Sequence, residues 1–272
     1  MNPHHTWFHL LPGYARLEEF AGHYLARDWR WMMFQDSHFT LSHVLMALLV
    51  FVFLVGGAIW YRASVAGAGE AGLVPPPHFG MRALLEMLLD AVLGMMEGVM
   101  GREQARRYLP LIGTLAFLIF FSNLLGLIPG FLPPTDTLKT NLALSLSVFV
   151  MTHVYGIQAQ GLAYFKHFFG PILKWYALPL MLLMFVIEII SHLARPVSLA
   201  LRLMGNIAAD HKVVAAFFAL VPLLIPLPFM LLGVLVAIVQ TLVFSLLTTV
   251  YIGMAVAHGD HEEHGHAEAH GH

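Results

Sequence analysis

The sequence predicts an all-α integral membrane protein with about five transmembrane helices, an amphipathic surface helix, and a long tilted antiparallel pair of helices at its carboxyl end. Three observations predict this. Hydrophobic residues make up 58% of the 272 positions and charged residues only 11%, against about 25% charged in an ordinary soluble domain. The apolar residues gather into runs long enough to cross about 30 Å of hydrocarbon. The last two runs are longer than an upright span needs, and one of them keeps an arginine, Arg202, in its middle. The formal net charge of −2 gives no electrostatic reason to expect a nucleic-acid partner. With no cysteine in the chain, disulfide frameworks, thiolate metal sites and cysteine nucleophiles are excluded.

Residues 1–39 are aromatic and mixed in charge, as an interfacial segment would be. Their start, "MNPHHTWFHLLPGYARLEEF", lacks a basic region followed by an apolar core, so no cleaved signal peptide is expected. Residues 40–257 form the membrane domain. Its first span is Thr40 to Tyr61, followed by the Gly/Pro-rich linker "AGAGEAGLVPPPHFG". In "MRALLEMLLDAVLGMMEGVMG", Arg82, Glu86, Asp90 and Glu97 fall within an arc of about 80° at 100° per residue. That pattern suits a helix at the membrane surface or against a partner better than a span.

The second span is Tyr108 to Gly130, ended by "FLPPTDTLKT", and the third is "NLALSLSVFVMTHVYGIQAQGLAYF". The fourth runs from near Leu173 past Arg202 toward Leu220. A span needs about 20 residues, so this helix tilts strongly or breaks, with Pro196 the weak point. The last covers Pro226 to Ala257 and precedes a His-rich tail, residues 258–272. Basic residues near the helix ends set the expected orientation. Arg62, Arg82, Arg102, Arg106 and Arg107 lie between the first two spans, and Lys166 and Lys174 follow the third. The opposite loops hold only Lys139 and Lys212, whereas Arg16, Arg27 and Arg30 oppose the trend. The amino terminus is therefore expected outside and the carboxyl terminus in the cytoplasm.

A guanidinium keeps its charge, and at the centre of a span it costs about 2.5–3.5 kcal/mol. With Glu188 at zero on the fourth helix, Arg195, Arg202, Ser191, Ser198 and Asn206 all fall within an arc of about 80°. The fourth helix thus carries a wet or protein-facing stripe. Gln240, Thr241, Ser245 and Thr248 share one side of the last helix, and an antiparallel pairing brings Gln240 close to Arg202. One reading has Arg202 merely tie helices together through a carboxylate. Glu188 lies about 21 Å away along a straight helix, and the last helix has no carboxylate before Asp260. The counter-ion must come from another helix or another protein.

"EIISHLARPVSLALRLMGNIAADH", followed by "VQTLVFSLLTTVYIGMA", resembles subunit a of rotary (F-type) ATP synthases, the stator of the ion-conducting membrane sector. The likeness extends from about Thr40 to Ala257, and "FFSNLLGLIPG" adds to it. The resemblance implies that Arg202 is the essential stator arginine, with its counter-ion on a rotating ring of c subunits. It implies two offset half-channels, with Asn206 and Gln240 flanking Arg202, His211 on the outer path, and Glu188, Ser191 and Ser198 as candidates for the inner path. It also implies peripheral-stalk b subunits, a nucleotide-binding head carried by other subunits, and no cofactor or catalysis in this chain. The expected location is the bacterial inner (plasma) membrane, multi-pass in the lipid bilayer.

Two departures stand out. Some relatives have an acidic residue at the position of His211 and a histidine at that of Gly233, which relays no proton except by making room for water. The tail "HGDHEEHGHAEAHGH" has a metal-binding composition but, without fixed ligand geometry, reads as a solvated cytoplasmic end. A secondary transporter holding an anion on Arg202 would show inverted repeats, and none is evident. A membrane metalloenzyme would need ligands at fixed spacing, yet His153, His192 and His211 are isolated in sequence and no H-E-x-x-H occurs.

Overall fold

The computed structural model describes residues 12–25, 41–67, 80–128, 131, 133–161, 164, 178–220 and 226–269. Among them there is no strand. The helices are α1 (Tyr14–Leu25), α2 (Leu41–Gly67), α3 (Met81–Met100), α4 (Arg102–Gly126), α5 (Leu138–Gln160), α6 (Leu178–Leu220) and α7 (Pro226–Ala269), with a 3-10 turn at Pro134–Asp136 before α5. Five of the described helices are long and apolar enough to cross a membrane: Leu41–Gly67, Arg102–Gly126, Leu138–Gln160, Met181–Val214 and Pro228–Val256. They coincide with the five spans expected from the sequence, and α3 is the additional helix with charges on one face. Much of the interfacial segment 1–39 and the end of the third expected span lie outside the described residues.

Two differences concern the long helices. First, α6 continues through Pro196 without a break. Proline removes one backbone donor from the helix, but stopping the helix in hydrocarbon would strand several more polar groups away from water. Pro196 is also buried, as are Leu199 and Ala200 a turn later, so packing holds the segment. Second, α7 runs past the expected end of the membrane domain, its backbone helical through Ala269 and into the His-rich tail.

The chain divides into two compact units. One comprises Met1–Pro75, Leu118–Thr137 and Ile207–Ala237. Here Tyr14 and Ser42 share a hydrogen bond between hydroxyls at 2.8 Å, beside a small core of Tyr14, Ala21 and Leu41. Burial raises the Tyr14 phenol above its ordinary value. Thr135 Oγ1 donates to Asn123 Oδ1 at 3.0 Å, which ties the turn before α5 to the end of α4. The rings of Phe53 and Phe121 lie 5.3 Å apart. Gly233 sits against the Leu127 side chain, which fills the space a side chain at 233 would need. The water-filled gap contemplated at Gly233 is therefore occupied by leucine.

The other unit comprises Pro76–Phe117, Leu138–Asn206 and Ile238–His272. Its core joins Val92 and Met96 of α3, Ala105, Tyr108 and Ile112 of α4, and Ile252 and Val256 of α7. The apolar side of α3 is thus buried against neighbours. On its polar side, Arg82 Nε donates to Glu86 Oε1 at 2.8 Å one turn away. Gln160 Nε2 closes the end of α5 onto the Ala255 carbonyl at 2.8 Å.

Candidate functional site

Helices α6 and α7 pack antiparallel, and two contacts fix their register. Asn206 Nδ2 donates to Gln240 Oε1 at 2.6 Å. About three turns toward the start of α6, the Arg195 guanidinium lies over the Tyr251 ring, 5.1 Å from its centroid. Moving backward on α6 moves forward on α7, as antiparallel packing requires. Gln240 therefore hydrogen-bonds Asn206, one turn beyond Arg202 on α6.

The polar residues of α7 behave as their shared face suggests. Gln240, Thr241, Ser245 and Thr248 are all buried, together with Thr249. Thr248 and Thr249 donate to the carbonyls of Phe244 and Ser245 one turn back, at 2.9 and 2.7 Å. Those two hydroxyls satisfy their own helix. Ser245 Oγ is buried and has no hydrogen-bond partner among the described residues.

Arg202 is exposed on α6. Among the described residues no carboxylate pairs with it, and no hydrogen bond reaches it. Its neighbours Leu199 and Leu203 point into the chain, at 2% and 0% exposure, whereas Leu201 is 48% exposed. The α6 surface bearing Arg202 is thus an exposed stripe with one fixed charge among small and polar side chains. Ser191 and Ser198 are exposed too. His211 lies on α6, but its side chain is outside the described set.

Glu188 is not alone. Its Oε1 lies 3.1 Å from His192 Nε2, one turn along α6. The His192 ring stands edge-to-face against His153 of α5, with centroids 5.2 Å apart. His153 in turn meets the edge of Tyr164 at 5.8 Å. Burial raises the Tyr164 phenol above its ordinary value, against the opposing charge of Arg195 and with Glu188 adding to the rise. His153 and His192 border a mostly apolar recess, walled by Val148, Phe149, Pro196 and Leu199 and reached also by Arg195 and Tyr251.

The two histidines are the residues that sequence reasoning passed over as isolated. One signal was available, since His192 follows Glu188 by four residues and therefore adjoins it on any helix. Nothing in the sequence places His153 beside it, because periodicity orients a residue on its own helix only. No group of three or more metal-ligating side chains occurs among the described residues.

Comparison with known proteins gives a consistent result. A family model described as "ATP synthase A chain" matches residues 40–253. "ATP synthase subunit a 2" of Syntrophotalea carbinolica is 46% identical over 221 residues, which cover 81% of this chain and 88% of that one. "ATP synthase subunit a 1" of the same organism is 49% identical over 216 residues, 79% of this chain and 86% of that one. "ATP synthase subunit a" of Geobacter sulfurreducens is 50% identical over 173 residues, 64% of this chain and 73% of that one.

Proposed function

Because the chain belongs to the ATP synthase A chain family, we propose that it is the stator half of a proton path, working against a rotating ring of c subunits in a bacterial inner membrane. Arg202 is the fixed cation, and its counter-ion is a carboxylate on the ring. A ring carboxylate travels protonated through lipid, where its charged form is too costly. Beside the guanidinium the charged form is favoured and the proton leaves. Arg202 also stands between two offset half-channels and stops protons from passing straight through. Each proton moving down 100 mV contributes about 2.3 kcal/mol, so several are spent on each ATP.

Asn206 and Gln240 brace the site one turn from Arg202, with His211 on the outer path and Glu188, Ser191 and Ser198 on the inner one. The subunit itself performs no chemistry on nucleotide. It works in a complex with the ring, peripheral-stalk b subunits and a nucleotide-binding head, its amino terminus outside and its carboxyl terminus in the cytoplasm.

The observation that carries this reading is Arg202 itself, a charge on the exposed face of a membrane helix with no partner among the described residues. Its expense in lipid is offset only if a neighbouring subunit brings an anion to it. The test is Arg202→Ala in the assembled complex. Proton-driven ATP synthesis in sealed vesicles should fall to background while the other subunits still co-purify. Normal synthesis by that variant would overturn the assignment.

A further inference from the structure

We propose that His192 and His153 form a two-histidine proton relay on the inner half-channel, passing protons between Glu188 and the recess beside Arg195 and Tyr251. The proposal rests on the reading of Glu188 as an inner-path residue and extends it to two side chains on different helices. His192 is only 12% exposed at its side chain, and Glu188 is 32% exposed. Glu188 therefore faces outward while His192 stands behind it, toward the packed interior. His153 stands behind His192, across α6 and α5. The three make a line from an accessible carboxylate to the recess.

Hydrogen bonding fixes which nitrogen does what. His153 Nδ1 lies 2.8 Å from the Phe149 carbonyl. A carbonyl only accepts, so Nδ1 carries the hydrogen and Nε2 carries the lone pair of the neutral ring. His192 Nε2 donates to the Glu188 carboxylate in the same way, leaving its lone pair on Nδ1. Neutral imidazoles with one donor and one acceptor nitrogen are suited to transfer, because each takes a proton at one site and gives one up without a change of covalent structure. A proton that binds His192 Nδ1 makes an imidazolium, which releases its Nε2 proton to Glu188. His153 takes up a proton from the recess on its Nε2 lone pair and gives that same proton, through water, to His192 Nδ1, returning to the neutral ring, since the edge-to-face rings share no direct hydrogen bond among the described contacts. Every step moves one proton and breaks one N–H or O–H bond for each one formed.

The charged and titratable groups around the pair define the relay's limits. Glu188 supplies an anion on α6 itself, and Arg195, one turn beyond His192, supplies a cation. From α5 comes His153, from α7 the phenol of Tyr251, and Tyr164 closes the side beyond His153. The pair is thus bracketed by one charge of each sign. It lies about 15 Å from Arg202 along α6, counting from His192 at 1.5 Å per residue, which is a sensible depth for a channel mouth.

The experiment uses the assembled ATP synthase in inverted membrane vesicles and reads ATP-driven proton pumping against the pH of the medium. His192→Gln keeps a donor for Glu188 but does not titrate. It should slow pumping by about tenfold and flatten the pH profile, because glutamine cannot take up a proton. The loss stays below the hundredfold or more of a proton transfer in a chemical step, because water bypasses part of the line. His153→Gln, on a different helix, should do the same, and the double variant should be no slower than either single one. If the His192 variant fails to assemble, His153→Gln carries the test alone. Wild-type rate and pH profile in an assembled glutamine variant, with Glu188→Gln slowing pumping severalfold, would overturn the relay and leave the inner path standing. Wild-type pumping by Glu188→Gln as well would overturn both.

Discussion

Two arginines lie two turns apart on nearly the same face of α6, and they are served differently. Arg195 is half-buried and lies over the Tyr251 ring. Arg202 is exposed and has none of these partners among the described residues. The side chains are chemically identical, so the difference lies in what α5 and α7 present to each. Arg195 meets an aromatic face within the chain. The buried residues of α7 one turn beyond Gln240 are Phe244 and Ser245, neither of which can serve as a counter-ion. A charge satisfied internally holds helices together, whereas one left without an anion implies a partner outside the chain.

The sharpest test of this contrast is the same conservative change at both positions. Arg202→Lys keeps the charge but loses the planar fork, and a desolvated lysine can shed its proton. ATP synthesis should fall by more than about a hundredfold. Arg195→Lys keeps a cation above an aromatic ring, a contact worth about 0.5–1 kcal/mol at exposed sites, and synthesis should stay within about threefold of wild type. Equal losses at the two positions would erase the distinction. Vesicles containing each assembled complex, energised by an imposed proton gradient, provide the comparison.

A smaller effect is expected at the hydrogen bond beside Arg202. Asn206→Ala and Gln240→Ala each remove one side of the same 2.6 Å bond. A hydrogen bond of this kind contributes about 1 kcal/mol, so each variant should lower synthesis about fivefold. The double variant should be no worse than either single one, since residues that act as a pair are not additive. Independent, multiplying losses would mean that the two side chains work separately.

The smallest effect belongs to the tail. The backbone of α7 stays helical through Ala269, but the expected inner and outer paths both end well before it. Deleting residues 259–272 should change synthesis by less than about twofold, as expected if the histidines only form a solvated end. Loss of activity that zinc restores only in the full-length chain would make the histidines functional ligands.

The spans were legible because hydrocarbon sets a strict length, and the apolar runs of this sequence meet it five times. The face of α7 was legible for a similar reason: Gln240, Thr241, Ser245 and Thr248 recur at helical spacing and turn inward together. Pro196 left open whether the fourth helix tilts or breaks, and the helix runs through it unbroken. The register of α6 on α7 and the meeting of His153 with His192 depend on how two helices slide and rotate against each other. Side-chain packing decides that, and no period in the sequence records it.

The central claim is that the face of α6 bearing Arg202 docks on the ring, and cross-linking tests it most directly. The chain contains no native cysteine, so any disulfide comes from introduced pairs. Cysteine at Leu201 or Gly205, both exposed beside Arg202, would be combined with cysteine next to the ring carboxylate, and the same ring variant with cysteine at Leu199 or Leu203. A disulfide needs Cα atoms within about 7 Å, which separates docking from mere proximity. The account predicts bonds from Leu201 and Gly205 and none from the two buried positions. Efficient bonds from Leu199 or Leu203, with none from the exposed pair, would contradict it.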